Sequence, residues 1–280
     1  MSDKDDRRRF PLAFDVVHGT WVTRAMRRLV LAGSDDTAFA SLVGRDGGFT
    51  DRYVKLLFCD PGTVYPEPFD MNEIRETLPH EVWPVPRTYT VRWIDRDAET
   101  IAIDFVVHGD HGIAGPWAAR AEAGDRIHLL GPGGAYAPAA TPDWHLIAGD
   151  DAALPAIGAA FEAMPDGARV RAFLEVDGPE DEQEFATAAD LDITWLHRKG
   201  AEPGTTTLIA DAVKAMDWID GRAQVFIHGE SGLLKALRSH LLDEREVERA
   251  DLSFSGYWRR GTNEEGFREW KAEQAKVGVA

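Results

Sequence analysis

A single cysteine, Cys59, excludes an internal disulfide from this chain. It sits in the apolar run Val54–Cys59 and is expected to be a small buried residue, which suits a reducing cytoplasm. No apolar run approaches the roughly 20 residues that cross a bilayer, so no membrane association is expected. The charged stretch from Asp3 to Arg9 has no apolar core behind it, which argues against a secretory leader. Basic residues are scarce: 31 Lys and Arg face 48 Asp and Glu, a net charge of −17. Such a surface repels nucleic acid, and any anion it binds needs a local cluster of cations. The run Arg7-Arg8-Arg9 is read as solvated tail within residues 1–12, which are expected to be disordered. The histidines and the cysteine show no zinc-site spacing, so no protein-ligated metal is expected. Internal repeats and low-complexity segments are absent.

What remains is an ordinary globular composition, 44% hydrophobic and 10% aromatic, in a chain of 280 residues, long enough for two domains. The first half reads as short strands at 20–33, 52–59, 87–95, 100–108 and 126–130. A hairpin link spans Arg96–Glu99, and Gly131-Pro132-Gly133-Gly134 is a stop. One helix is expected, over Trp117–Ala123, and a small antiparallel barrel fits the pattern. After the linker Tyr136–Asp143 the pattern changes. Strands at 144–148, 169–176, 192–197, 224–228 and 251–255 alternate with helices at 151–164, 206–216 and 232–242. That alternation implies a parallel sheet with crossover helices, an α/β Rossmann-like domain. The last stretch, 263–276, reads as a charged surface helix. The expected division is 1–138, 143–255 and a C-terminal segment 256–280, in a monomer.

The densest chemistry lies in the first half. Arg87 and Tyr89 alternate with Thr88 and Thr90 on one strand, and a second strand ends at His108-Gly109. A small-residue turn, Gly112 to Gly115, then enters a helix, where free N–H groups and the helix dipole favour an anion. Such a pocket suits a flavin dinucleotide, with Arg87 on the pyrophosphate and Tyr89 on the ring. In the second half, the turn Gly149-Asp150-Asp151 and the stretch Gly229-Glu230-Ser231 follow apolar strands where parallel sheets bind ligands. Neither is a G-x-G-x-x-G turn, and Ser231 lacks the Gly-x-Ser-x-Gly setting of a nucleophile. Arg198-Lys199 after a strand is read as a solvated loop, with a grip on a 2′-phosphate as the alternative. Trp117 is a helix anchor or a cofactor contact.

The chain resembles the siderophore-interacting proteins, FAD-binding ferric-siderophore reductases related to ferredoxin–NADP reductases. The resemblance runs from about Val22 to Gly261. It is carried by Tyr53-Val54-Lys55-Leu56-Leu57-Phe58, by Arg87-Thr88-Tyr89-Thr90, by Asp104 through Trp117, by Ala148 through Ile157, and by Gly256-Tyr257-Trp258-Arg259-Arg260-Gly261. The chain departs from the family's frequent pattern at Ile113-Ala114-Gly115, where Pro-Ala-Ser is common, and at Asp151, where Glu is common.

The resemblance implies an FAD site of Arg87, Thr88, Tyr89, Thr90, Asp104, Val107, His108, Ile113, Ala114, Gly115 and Trp117, with Tyr257 and Trp258 returning towards the flavin. It implies an NAD(P)H site at Gly149, Asp150, Asp151, Ala152 and Ala153 together with Gly229, Glu230 and Ser231. Since many ferric siderophores are anionic, Lys55, Arg259 and Arg260 are the candidate substrate cations. The expected activity is FAD-dependent reduction of a ferric siderophore, with NAD(P)H or a ferredoxin-type protein as electron donor. Two other functions remain open: a general NAD(P)H:flavin oxidoreductase with a protein acceptor, and a non-enzymatic siderophore-binding protein.

Overall fold

The computed structural model describes residues 10–267, 270 and 273. The arginine run at 7–9 and most of the expected tail helix lie outside the described residues; Glu264–Phe267, Trp270 and Glu273 are helical. The chain divides into two compact units. The first holds most of residues 10–134, and the second holds 135 onward with the short segments 22–26 and 48–51.

The first unit is a closed barrel of β1 (Leu12–Thr23), β2 (Met26–Gly33), β3 (Tyr53–Phe58), β4 (Val85–Asp95), β5 (Thr100–Val106) and β6 (Arg126–Gly133), in the order β1-β2-β5-β4-β3-β6. Phe14, Leu29, Leu31, Val54, Leu56, Val91, Ile103, Phe105 and Leu129 fill it. Strand alternation explains the set: Val54 and Leu56 point inward, and Tyr53 and Lys55 take the outer face. The next outward residue, Leu57, is buried by Phe69 and Ile74. These come from an excursion that carries α2 (Met71–Thr77), capped by the Asp70 side chain accepting from Asn72 N–H at 2.8 Å.

The structure revises several expectations. The strand expected at 20–33 is two strands hinged at Arg24-Ala25, and β1 already begins at Leu12, inside the stretch expected to be disordered. Two short helices, α1 (Ala38–Val43) and α2, join the single one expected. That one, α3, spans Ala114–Arg120 rather than 117–123, because the small-residue turn is itself the first helical turn. Proline at 116 is tolerated there, where N–H groups have no intrahelical partner. The stop at Gly131–Gly134 is not one either, since β6 continues to Gly133. Gly131 adopts φ +126, and a Cβ on it would lie 3.1 Å from the Tyr53 carbonyl, so only glycine lets β6 bend this closely over β3. Cys59 lies just past β3 and is exposed, not buried, because the chain has left the barrel by then.

The second unit is a five-stranded parallel sheet of β7 (Trp144–Asp150), β8 (Arg169–Val176), β9 (Asp190–His197), β10 (Ala223–Glu230) and β11 (Leu252–Trp258), in the order β11-β10-β7-β8-β9. Crossovers run through α4 (Leu154–Glu162), α5 (Leu208–Ala215) and α6 (Ser231–Ser239). Trp144, Leu146 and Ala148 of β7 meet Ile209 and Val213 of α5 and Leu237 of α6 in one core. Strand order reverses between β7 and β10, and at such a switch point the carboxyl ends of two strands open a crevice. Asp150 and Glu230 end those two strands.

Candidate functional site

The barrel strand β4 sets its residues on two faces. Arg87 and Tyr89 pair with Leu56 and Val54; Thr88 and Thr90 pair with Lys55 and Tyr53. The Tyr89 ring packs on Phe105 at 4.5 Å between centroids and is half-buried against the core. Arg87 is half-buried, and its guanidinium donates to the Pro86 carbonyl at 2.8 Å. Thr88 is exposed and Thr90 is buried. Val107 is half-buried and His108 exposed. Beyond them Gly109 (φ +58) and Gly112 (φ +78) take left-handed backbone with open space where a Cβ would stand. Ile113 is 39% exposed.

Four of the expected residues also have structural partners. Asp104 is buried and holds Arg28 through both oxygens, at 2.6 and 2.7 Å, tying β5 to β2. Ala114 and Gly115 are buried, and a Cβ on Gly115 would lie 3.1 Å from the Val106 carbonyl, so the glycine lets α3 sit tightly on β5. Trp117 meets Phe58 edge-on at 5.5 Å and Phe105 at 5.8 Å, as an anchor of α3 does. Arg87 and Tyr89 put a guanidinium and an aromatic ring on one face of β4, Thr88 and Thr90 put hydroxyls on the other, and an open glycine loop follows β5. A guanidinium and a ring two residues apart on one face, beside a glycine loop, fit the phosphates and flat ring of a flavin dinucleotide.

In the α/β unit the two predicted turns meet. The Asp150 carboxylate accepts from Glu230 N–H at 2.8 Å, from Ala152 N–H at 3.0 Å and from the Trp258 indole at 2.8 Å. Gly229 (φ +136) makes this possible, since a Cβ there would stand 2.7 Å from that carboxylate. Gly149 is equally crowded, by Ala153 and the His228 carbonyl. Burial pushes the Asp150 carboxyl up to about 7, with the charge of Asp151 adding to it, against the three N–H donors. Glu230 caps α6 by accepting from Gly232 N–H, and Ser231 begins that helix.

Arg198 corrects the reading of 198–199 as a solvated loop. Lys199 is exposed, but the Arg198 side chain is 3% exposed, with Asp151 at 2.7 Å and Glu175 at 3.7 Å. Its charge is thereby answered within the chain rather than held for a 2′-phosphate. Burial raises the Glu175 carboxyl despite Arg198 and the Thr206 hydroxyl, which donates to it at 2.7 Å. Sequence reasoning missed Glu175, Thr206 and Gly204, whose Cβ position would meet Glu230 and Trp258 at 2.9 Å. An acid near the end of an apolar parallel strand was the available signal for Glu175. Tyr257 meets His228 edge-on at 5.0 Å, Arg259 lies over the Trp270 ring at 4.3 Å, and Arg260 is exposed. Among the described residues no cluster of three or more His, Cys, Asp or Glu could hold a metal ion, and no helix is long and apolar enough to cross a membrane.

Comparison with known proteins decides the family. Residues 15–136 match the siderophore-interacting FAD-binding domain and 142–261 match the siderophore-interacting protein domain. This chain is a member of the siderophore-interacting protein family. It is 44% identical to an uncharacterized Mycobacterium tuberculosis protein over 277 residues, 95% of this chain and 96% of that one. It is 33% identical to the ferric vibriobactin reductase ViuB of Vibrio cholerae over 264 residues, 93% of each. A siderophore utilization protein from T. fusca superposes with a TM-score of 0.75 at 37% identity, covering 90% of this chain and 93% of that one. The barrel of this siderophore-interacting protein is therefore an FAD-binding domain, and the chain is a flavoprotein oxidoreductase.

Proposed function

We propose that this siderophore-interacting protein reduces ferric siderophores through FAD, passing electrons from NAD(P)H or a ferredoxin-type protein to chelated iron(III). The observation that carries the reading is the register of β3 on β4, which sets Lys55 directly across from Thr88 in the flavin-binding tetrad. In a chain of −17, an ammonium beside that strand gives an anionic iron chelate a place to dock. Bound FAD supplies two-electron acceptance and one-electron release, so each reduction cycle delivers two equivalents and converts two iron(III) to iron(II). Iron(II) is held weakly by hard oxygen donors, and the metal leaves its chelator. The residues orient and shield: Arg87 and the Thr88 and Thr90 hydroxyls bind, and Tyr89 backs the ring.

The reading of Gly149–Ala153 and Gly229–Ser231 as a nicotinamide site stands beside a protein donor. The protein donor is favoured by the switch point, where Asp150 already takes the Ala152 and Glu230 N–H groups that an incoming anion would use. Anaerobic re-oxidation of the reduced holoprotein is the test. A ferric siderophore should re-oxidise the flavin much faster than an unrelated ferric chelate. Equal rates would favour a general flavin oxidoreductase, and purification without any flavin would favour a carrier.

A further inference from the structure

Tyr53 stands out among the outward residues of β3. It is 39% exposed, whereas Leu57 on the same face is buried under Phe69 and Ile74. Lys55 lies between them, on the same outer face, since alternate residues of a strand share a side. Across the ladders Tyr53 faces Thr90 and Gly133, and Lys55 faces Thr88 and Leu130. The phenol end of Tyr53 lies over Gly133, where an added methyl would stand 2.7 Å from both Cζ and Oη. Gly133 therefore gives the ring its seat and leaves part of it open. Arg45 brings a second cation to the same glycine segment, 3.5 Å from the Gly131 carbonyl. Lys55 forms no ion pair with any described residue. An open aromatic ring thus sits two residues from an ammonium, beside the strand that carries the flavin tetrad.

We propose that Tyr53 is a specificity-determining residue for the iron chelate, and that with Lys55 it selects anionic aryl ligands, catecholate or phenolate, over aliphatic hydroxamates. This rests on the ferric-chelate reading above and deepens it. An aryl oxygen donor presents a flat π-surface that stacks on the tyrosine ring, and its negative charge is answered by the ammonium. A hydroxamate offers no ring, so the tyrosine contributes little to holding it.

The test titrates the oxidised holoprotein with gallium(III) complexes of one catecholate and one hydroxamate siderophore, so that binding is read without electron transfer. Tyr53→Leu should weaken the catecholate complex about three- to tenfold, the span of one aromatic pair, and change the hydroxamate complex by less than about twofold. Tyr53→Phe should restore the catecholate affinity. Gly133→Ala should reproduce the loss by unseating the ring, and it serves as the test should Tyr53→Leu fail to keep its flavin. If ferric chelates are reduced but both gallium complexes are lost equally, or neither is affected, this inference is overturned and the reductase reading stands. If the wild-type protein binds neither complex and reduces neither ferric form, the reductase reading falls and takes the inference with it.

Discussion

Replacing Asp150 with Asn should change the sign of a stability difference between pH 4 and pH 8. The wild-type carboxyl is buried and raised from 3.8 to about 7. Between those values the folded state binds a proton that the unfolded state has lost, so stability falls as pH rises through the interval and levels off above it. A shift of this size corresponds to about 4 kcal/mol, taking about 1.4 kcal/mol per unit. Asn cannot ionise and escapes that loss. Its amide, however, must turn an NH2 towards one of the three donors that Asp150 now accepts from, Trp258, Glu230 or Ala152. A buried donor left without an acceptor costs about 1–3 kcal/mol at every pH. Asp150→Asn should therefore be less stable than wild type by about 1–3 kcal/mol at pH 4, close to it between pH 5 and 6, and more stable by about 1–3 kcal/mol at pH 8.

The chain has two compact units, and a single denaturation midpoint is not specific to either of them. Hydrogen exchange of the β7 and β10 amides reports the α/β unit itself. Glu175 is also raised by burial, but it is present in both proteins and drops out of their difference. A constant gap from pH 4 to 8 would refute the reasoning. So would a gap that widens in favour of wild type as pH rises. Either would mean that the three N–H donors outweigh burial and keep the carboxylate charged.

Three further outcomes are expected. Arg87→Ala should lower FAD retention on purification while circular dichroism stays that of the folded protein; a full flavin complement would remove Arg87 from the site. Arg198→Gln leaves Asp151 and Glu175 without their buried cation, and should destabilise the α/β unit by about 3–5 kcal/mol at pH 8 and less at pH 5; a loss confined to NADPH binding, with stability intact, would instead restore the phosphate grip. Neutralising Lys55 should raise KM for an anionic ferric siderophore and flatten its salt dependence, because attraction between exposed charges is screened; an equal loss with a neutral chelate would assign Lys55 to structure.

The barrel and the parallel sheet were legible because period-two alternation and β/α alternation report burial, and burial decides both architectures. Strand β8 was readable at its full length, Arg169–Val176, since it is an apolar run between turn signals. What stayed hidden depends on contacts distant in sequence. Gly131 looked like a stop because its meaning lies in Tyr53 and Val54 of another strand. Cys59 looked buried because an apolar run does not announce where its strand leaves the barrel. Asp104 looked like a ligand contact because Arg28 is far along the chain, yet the pair closes within 2.7 Å. The carboxyl edge of the sheet combines all three difficulties. Its two turns were found, since each follows an apolar strand, but their chemistry was not. Each of β7, β8 and β10 carries an acid at or next to its last residue, Asp150, Glu175 and Glu230. A carboxylate at that edge can hold a ribose hydroxyl, but it repels a phosphate. In this sheet Asp150 and Glu230 accept the N–H groups left over where strands end and helices begin, and Glu175 accepts the Thr206 hydroxyl. Arg198, drawn in between Glu175 and Asp151, the residue after β7, adds a cation to the same edge, and the indole of Trp258 donates to Asp150.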